Sequence, residues 1–219
     1  MILIPVKHLK DAKKRLSALL TPHERRAIAA AMLEDVLAAL AACSAASNIA
    51  LVTSDPDAVE LARNLSLEVI IDRENLGETQ AIAMATAVCK QNGEAETLVL
   101  PADIPLITAS EIDRIFAAAA AEGSVIVPSR EQRGSNAVLR RPAALFPLTF
   151  GDNSFQPHLR LAQATGYPSI VLQVPGIALD VDRPHDLRLL LNSPGSTRSQ
   201  MLLREWNIGQ RLAVAAIPA

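Results

Sequence analysis

The sequence predicts one three-layer α/β/α domain with a mostly parallel central sheet. Three observations lead there. Short apolar runs alternate with helical patterns as far as Pro128, the rhythm of a parallel sheet covered by helices on both faces. Two of the helices open on capping boxes, Thr21-Pro22-His23-Glu24 and Thr108-Ala109-Ser110-Glu111. One apolar run ends in Leu100-Pro101-Ala102-Asp103-Ile104-Pro105, which sets a carboxylate where such sheets bind ligands. The domain is expected over residues 1–192, with a linker and helical tail over 193–219.

The elements follow in order. Residues 2–6 are a short apolar strand, and 7–20 a polar loop with some helical turns. The Thr21 box starts a helix to about Ala42, whose Ile28, Met32, Val36, Leu37 and Leu40 recur at helical spacing. Residues 48–53 are the second strand, and Ser54-Asp55-Pro56 opens the next helix. Residues 67–71 read as a strand, 79–91 as a helix and 97–100 as the fourth strand. The Thr108 box starts a helix to about Ala121, and 124–127 is the fifth strand. Beyond Pro128 the rhythm changes. Residues 136–139 fit an added strand, 152–165 a short helix, 169–174 a strand and 184–191 a helix. Leu179-Asp180-Val181-Asp182 reads as a further strand end. A Ser-Pro-Gly-rich linker from Ser193 leads to an amphipathic helix over 201–214, whose Leu202, Leu203, Trp206, Ile208 and Leu212 need cover.

Composition narrows the function classes. The chain has 219 residues, 50% hydrophobic and 20% charged, enough for one sizeable domain. Aromatics are only 3% and the net charge is −2, so stacking on nucleic acid is not expected. Cys43 and Cys89 belong to no CxxC pair and read as buried thiols. The N-terminus lacks the form of a signal peptide and no stretch approaches a membrane span, so a cytoplasmic protein with no membrane partner is expected. Homodimerisation stays open.

The chemistry sits in the polar residues at strand ends. Pro105 turns the chain out of the sheet just after Asp103. Asp180 and Asp182, two apart on an extended chain, face one side and repel unless a cation lies between them. With Asp103 they offer oxygen ligands for a divalent ion such as Mg²⁺ held against a triphosphate. That points to phosphoryl or nucleotidyl transfer. Lys7, Lys10, Lys13, Lys14 and Arg15 follow the first strand. They would lie at the same edge, able to clamp phosphates. Arg133-Gly134-Ser135-Asn136 and Phe150-Gly151-Asp152-Asn153-Ser154-Phe155 bring backbone N–H groups and hydroxyls suited to an anion. His158 lies one helical turn past Ser154. Plain structural alternatives stand beside these: a helix cap for Asp182, a solvated basic face, ordinary turns, a structural helical histidine. No Walker loop and no GxGxxG occur, which disfavours a dinucleotide dehydrogenase.

Seven separated stretches in order, residues 4–16, 32–40, 52–55, 100–106, 133–142, 150–159 and 175–187, carry a resemblance covering roughly residues 2–192. The chain resembles the guanylyltransferases that activate a phosphorylated three-carbon acid in coenzyme F-420 biosynthesis, for 2-phospholactate, phosphoenolpyruvate or 3-phosphoglycerate. The resemblance implies a GT-A-like, Rossmann-like nucleotidyltransferase domain joining GTP to the acid with release of pyrophosphate. It implies Asp103, Asp180 and Asp182 as metal ligands and catalytic groups. Ser135, Asn136, Gly151 and Ser154 would bind the acid, and Lys7, Lys13 and Arg15 the nucleotide phosphates. Thr53, Ser54 and Asp55 would lie near the base or ribose. Ser135 replaces the family's usual Thr, and Lys14 a common Ser. Leu76-Gly77-Glu78-Thr79-Gln80-Ala81 replaces a Leu-Asn motif, and this polar loop leans the reading toward 3-phosphoglycerate. A nucleotidyltransferase for a sugar phosphate or another cofactor and a non-catalytic nucleotide-binding module are the competing readings.

Overall fold

The computed structural model describes residues 1–45, 48–151 and 153–214. The apolar runs form seven strands: β1 (Ile2–Pro5), β2 (Ile49–Thr53), β3 (Glu68–Ile71), β4 (Thr97–Val99), β5 (Gly123–Pro128), β6 (Ser135–Arg141) and β7 (Ser169–Val171). They make one sheet in the order β3-β2-β1-β4-β6-β5-β7. All neighbours pair in parallel except β6, which runs antiparallel to both β4 and β5. That reversal is decisive for the site. A strand entering against its neighbours begins where they end, so Ser135 arrives at the edge where β1 and β4 finish.

Alternation along each strand divides the core between two faces. Ile2, Ile4, Leu51, Leu98, Leu100, Val125, Val127 and Leu139 meet α1 (Pro22–Ala41), α2 (Pro56–Asn64) and α4 (Ala109–Ala118) on one side. Leu3, Ala50, Val52, Val99, Ile126 and Val138 meet α3 (Glu78–Gln91) and α5 (Phe155–Ala164) on the other. The Thr21 and Thr108 capping boxes form as expected, each hydroxyl accepting the N3 amide while Glu24 or Glu111 returns to the cap amide.

Four sequence expectations need amendment. Residues 179–182 form no strand. Val181 N–H reaches Asp103 O at 3.0 Å, and with that single bond the segment stays irregular. It is preceded by a one-turn helix, α6 (Pro175–Ala178), too short to show a helical period. The helix cap that stood as the plain alternative for Asp182 comes instead from Asp186. Its Oδ2 accepts the N–H groups of Asp182 and Arg183 at 3.1 and 2.7 Å, opening α7 (Pro184–Asn192). The helix expected from Asp152 begins at Phe155, and Asp152 itself lies outside the described residues.

The segment expected as a single tail helix over 201–214 folds as two, α8 (Arg198–Glu205) and α9 (Ile208–Val214). They break at Asn207, whose φ is 53°. Leu203, Ile208 and Leu212 are buried with Leu16, Leu20, Ile28, Met32, Leu187 and Leu190. Each such side chain contributes about 2 kcal/mol by leaving water. Asp35 on α1 accepts the Arg198 and Ser199 amides at 2.7 and 3.0 Å, capping α8 from outside. The α1 helix therefore lies between the sheet and the C-terminal helices, which explains why its apolar residues encircle it. Residues 215–219 of the tail lie outside the described residues. Among the described residues no helix is long and apolar enough to cross a membrane.

Candidate active site

At the edge where β1 and β4 end lies an open cleft of about 1040 Å³. The loop after β1 supplies its cations. Two short 3-10 turns, Leu9–Asp11 and Lys14–Leu16, flank Lys13. Lys13 has φ 54° and ψ 36°, the left-handed region, a cost of order 1 kcal/mol for a non-glycine residue. Burial of Leu9 and Leu16 pins the loop on both sides, and Leu9 N–H donates to Asp55 Oδ2 at 2.9 Å. So held, the Lys13 side chain turns inward.

Its ammonium joins carboxylates from distant parts of the chain. Lys13 Nζ lies 2.5 Å from Asp103 Oδ2 and 2.9 Å from Asp182 Oδ1. Arg15 Nη1 approaches Asp182 Oδ2 at 3.3 Å. Burial works against the Lys13 charge, but Asp103 and then Asp182 outweigh it and hold its pKa well above the ordinary lysine value. Burial likewise pushes Asp182 upward, yet Lys13 pulls harder and leaves it below the usual carboxylate range. Asp180 is raised, first by burial, against the hydrogen bond from Asn136 and with added repulsion from Asp103. Asn136 Nδ2 donates to Asp180 Oδ1 at 3.0 Å and to Ile177 O at 2.9 Å. Glu78, raised chiefly by burial, faces Lys7 at 3.5 Å.

The opposite wall is built from β6 and the start of α5. Ser135 N–H donates to Ser154 Oγ at 3.0 Å. Phe155 N–H donates to Arg133 O at 2.8 Å. Gly151 has φ 155°, a backbone that side-chain-bearing residues rarely adopt. The neighbouring Phe150 N–H donates to Thr79 Oγ1 at 2.9 Å, tying this loop to the first turn of α3. His158 is fully buried beneath the wall, its ring 5.3 Å from that of Phe150 in an edge-to-face pair.

Lys7, Lys13, Arg15, Asp103, Asp180, Asp182, Ser135, Asn136, Gly151 and Ser154 all border the cleft. Thr53, Ser54 and Asp55 do not. Thr53 Oγ1 donates to Val6 O at 2.7 Å. Asp55 caps α2 and holds Leu9. The Thr53 hydroxyl and the Asp55 carboxylate thus brace the loop that presents Lys13. Glu78 borders the cleft too; its position just after Gly77, at φ 108° where a helix starts, was the signal for it in the sequence.

Two carboxylates converging on one cation suit a hard divalent ion, which commonly takes one or two protein carboxylates and completes its shell with water and phosphate. Asp103 and Asp182 have that arrangement around the Lys13 ammonium. Among the described residues, however, no three His, Cys, Asp or Glu side chains form a ready-made metal cage. The donors fit a divalent ion only where water and phosphate oxygens complete its shell.

The model of the family described as "Guanylyl transferase CofC like" matches residues 1–214. The chain belongs to this family. As a member of the CofC-like family it is a nucleotidyltransferase. Relatives include the phosphoenolpyruvate guanylyltransferase of Sphaerobacter thermophilus, 35% identical over 85% of this chain and 90% of that protein. The 2-phospho-L-lactate guanylyltransferase of Methanobrevibacter smithii is 28% identical over 94% of this chain and 90% of its own length. Among solved structures, a putative nucleotide-diphospho-sugar transferase from Desulfovibrio desulfuricans matches with a TM-score of 0.78 at 18% identity, covering 99% of this chain and 98% of that one. At that identity it speaks for the fold alone.

Burial, reinforced by the nearby Arg140 charge, lowers the His158 pKa to about 4. The folded chain thus holds this imidazole neutral where the unfolded chain would protonate it. Its stability contribution is complete above about pH 6.5 and is lost as pH falls toward 4. At pH 5 the loss is about 2 kcal/mol. His158→Asn should flatten the fall of melting temperature between pH 6.5 and 4. An unchanged slope contradicts the assignment.

Proposed function

We propose that this chain transfers the guanylyl group of GTP to the phosphate of a three-carbon carboxylic acid, in coenzyme F-420 biosynthesis. The observation that carries the reading is the Asp103–Lys13–Asp182 cluster facing the Ser135–Gly151 wall across one cleft. One side is built for a triphosphate and its counter-charge, the other for a small anion.

The acid's phosphate is the nucleophile. It is already ionised at neutral pH, so no general base is required. One of its oxygens bonds to the α-phosphorus of GTP while the bond from that phosphorus to the bridging oxygen breaks. Pyrophosphate leaves, and the product is a guanosine diphosphate diester of the acid. Lys13, Arg15 and Lys7 neutralise the phosphates of the nucleotide. Ser135, Ser154 and the Gly151 backbone hold the acid and set its approach. Asp103 and Asp182 would hold Mg²⁺, which when bound supplies further neutralisation of phosphate charge.

The relatives' names support phosphoenolpyruvate as the acid. The polar Leu76–Ala81 loop, which sets Glu78 and Gly77 on the cleft, supports 3-phosphoglycerate as the second reading. Purified protein should be given GTP and Mg²⁺ with phosphoenolpyruvate, 3-phosphoglycerate, 2-phospholactate or a sugar phosphate. Pyrophosphate release and product mass are followed. A guanylylated three-carbon acid is expected. Turnover confined to the sugar phosphate, or with none of them, contradicts the reading.

A further inference from the structure

We propose that His158 is a positioning residue that fixes the Ser135 hydroxyl as a hydrogen-bond donor into the acid side of the cleft. The inference rests on the reading of Ser135 as an acid-binding residue.

The argument begins with a donor that cannot change role. Thr149 N–H points at His158 Nε2 from 2.9 Å. A backbone amide only donates, so Nε2 must offer its lone pair. A neutral imidazole has one proton, which then sits on Nδ1. Nδ1 lies 3.0 Å from Ser135 Oγ. The ring donates, and the serine oxygen accepts. The serine proton is thereby turned away from His158. Among the described residues no group accepts it, and Ser135 borders the open cleft. An incoming carboxylate or phosphate oxygen is the acceptor this arrangement awaits.

The same ring sets both halves of the wall. Nδ1 addresses the first residue of β6, and Nε2 holds the backbone of Thr149, two residues before Gly151. It also packs edge-to-face with Phe150. Burial keeps the ring neutral and its tautomer constant, so the hydroxyl need not reorganise when the anion binds. Without the Nδ1 proton, the serine O–H would turn inward to the ring and present lone pairs to an anion.

Two substitutions separate the two ring nitrogens. In His158→Asn the amide nitrogen replaces Nδ1 and can still donate to Ser135. In His158→Gln the amide oxygen replaces Nε2 and can still accept from Thr149, with no donor left for Ser135. The expected result is a rise of about tenfold in KM for the acid in His158→Gln, with KM for GTP within twofold. His158→Asn should stay within about threefold of the unaltered protein on both. In a Ser135→Ala background, His158→Gln should add nothing to the KM for the acid.

Equal shifts of both KM values in the two variants, or additive effects with Ser135→Ala, overturn the proposal. If Ser135→Ala raises the KM for the acid and His158→Gln does not, the proposal fails while the acid site stands. If Ser135→Ala leaves that KM unchanged, the acid site fails and this inference with it. A separate readout needs neither turnover nor a variant. The ¹⁵N shifts of the His158 ring in the unaltered protein should report a proton on Nδ1, and a proton on Nε2 overturns the proposal.

Discussion

Asp103→Asn is expected to lower kcat by about 10²–10³-fold while the protein remains folded. The residue stands just beyond β4, the innermost parallel strand beside the antiparallel β6. Its Oδ2 is one of two carboxylate oxygens on the Lys13 ammonium. Asparagine keeps an oxygen of the same size for Lys13, and Asp182 still pairs with that cation. Loss of stability should therefore stay within about 2 kcal/mol. What disappears is a negative charge at the point where phosphate-bound cations must be held, and no neighbour can replace it. Asp180 is engaged by Asn136, and Glu78 faces Lys7. Turnover and thermal melting measured on one preparation check the split. A variant within threefold of full activity, at limiting Mg²⁺, contradicts the role given to Asp103.

Lys13→Ala is expected to make the stability of the protein depend on Mg²⁺. Removing the ammonium leaves the Asp103 and Asp182 oxygens that flanked it, at 2.5 and 2.9 Å, within about 5.4 Å of each other with no charge between them. At an effective dielectric constant near 20 their repulsion is about 3 kcal/mol. Both side chains are partly exposed, at 26% and 40%, so screening reduces this to about 1–2 kcal/mol. For a chain of this size that is a fall of roughly 2–8 °C in Tm. Millimolar Mg²⁺ should then restore the variant while barely moving the unaltered protein, whose lysine already fills the position. Turnover should fall by at least about 10²-fold, because a phosphate clamp is gone. Identical responses to Mg²⁺ in the two proteins contradict a shared cation position.

Local signals carried the sequence reading a long way. The alternation of apolar runs gave β1 to β5 in order, and Thr-x-x-Glu at Thr21 and Thr108 gave two helix starts to the residue. The box Thr197-Arg198-Ser199-Gln200 was equally legible and marks α8, but the Ser-Pro-Gly run before it reads as linker and hid it. Asn207 carried the break between α8 and α9, since asparagine tolerates a positive φ. Pairing was not legible. Nothing within residues 135–141 says that this strand runs against its neighbours, and that reversal is what brings Ser135 to the site. For the same reason Asp180 and Asp182 read as strand residues, although the segment has only one bond to the chain beside Asp103. The family resemblance alone places Thr53 and Asp55 near the base or ribose, and the sequence does not show what they hold. Their partners, Val6 O and Leu9 N–H, lie more than forty residues away in sequence. Arg140, at 2% exposure, shows the limit most plainly. It sits in an apolar strand, and its partners Thr86, Thr97 and Phe146 come from three separate segments.

The most direct test of the shared cation position is a crystal of this protein with Mn²⁺ and a non-hydrolysable GTP analogue, its metal located by anomalous scattering. The ion should lie within ligand distance, about 2.0–2.3 Å, of Asp103 and Asp182 carboxylate oxygens, with Lys13 moved onto the phosphates. Lys13 still seated between the two carboxylates, and the metal bound elsewhere, would contradict it.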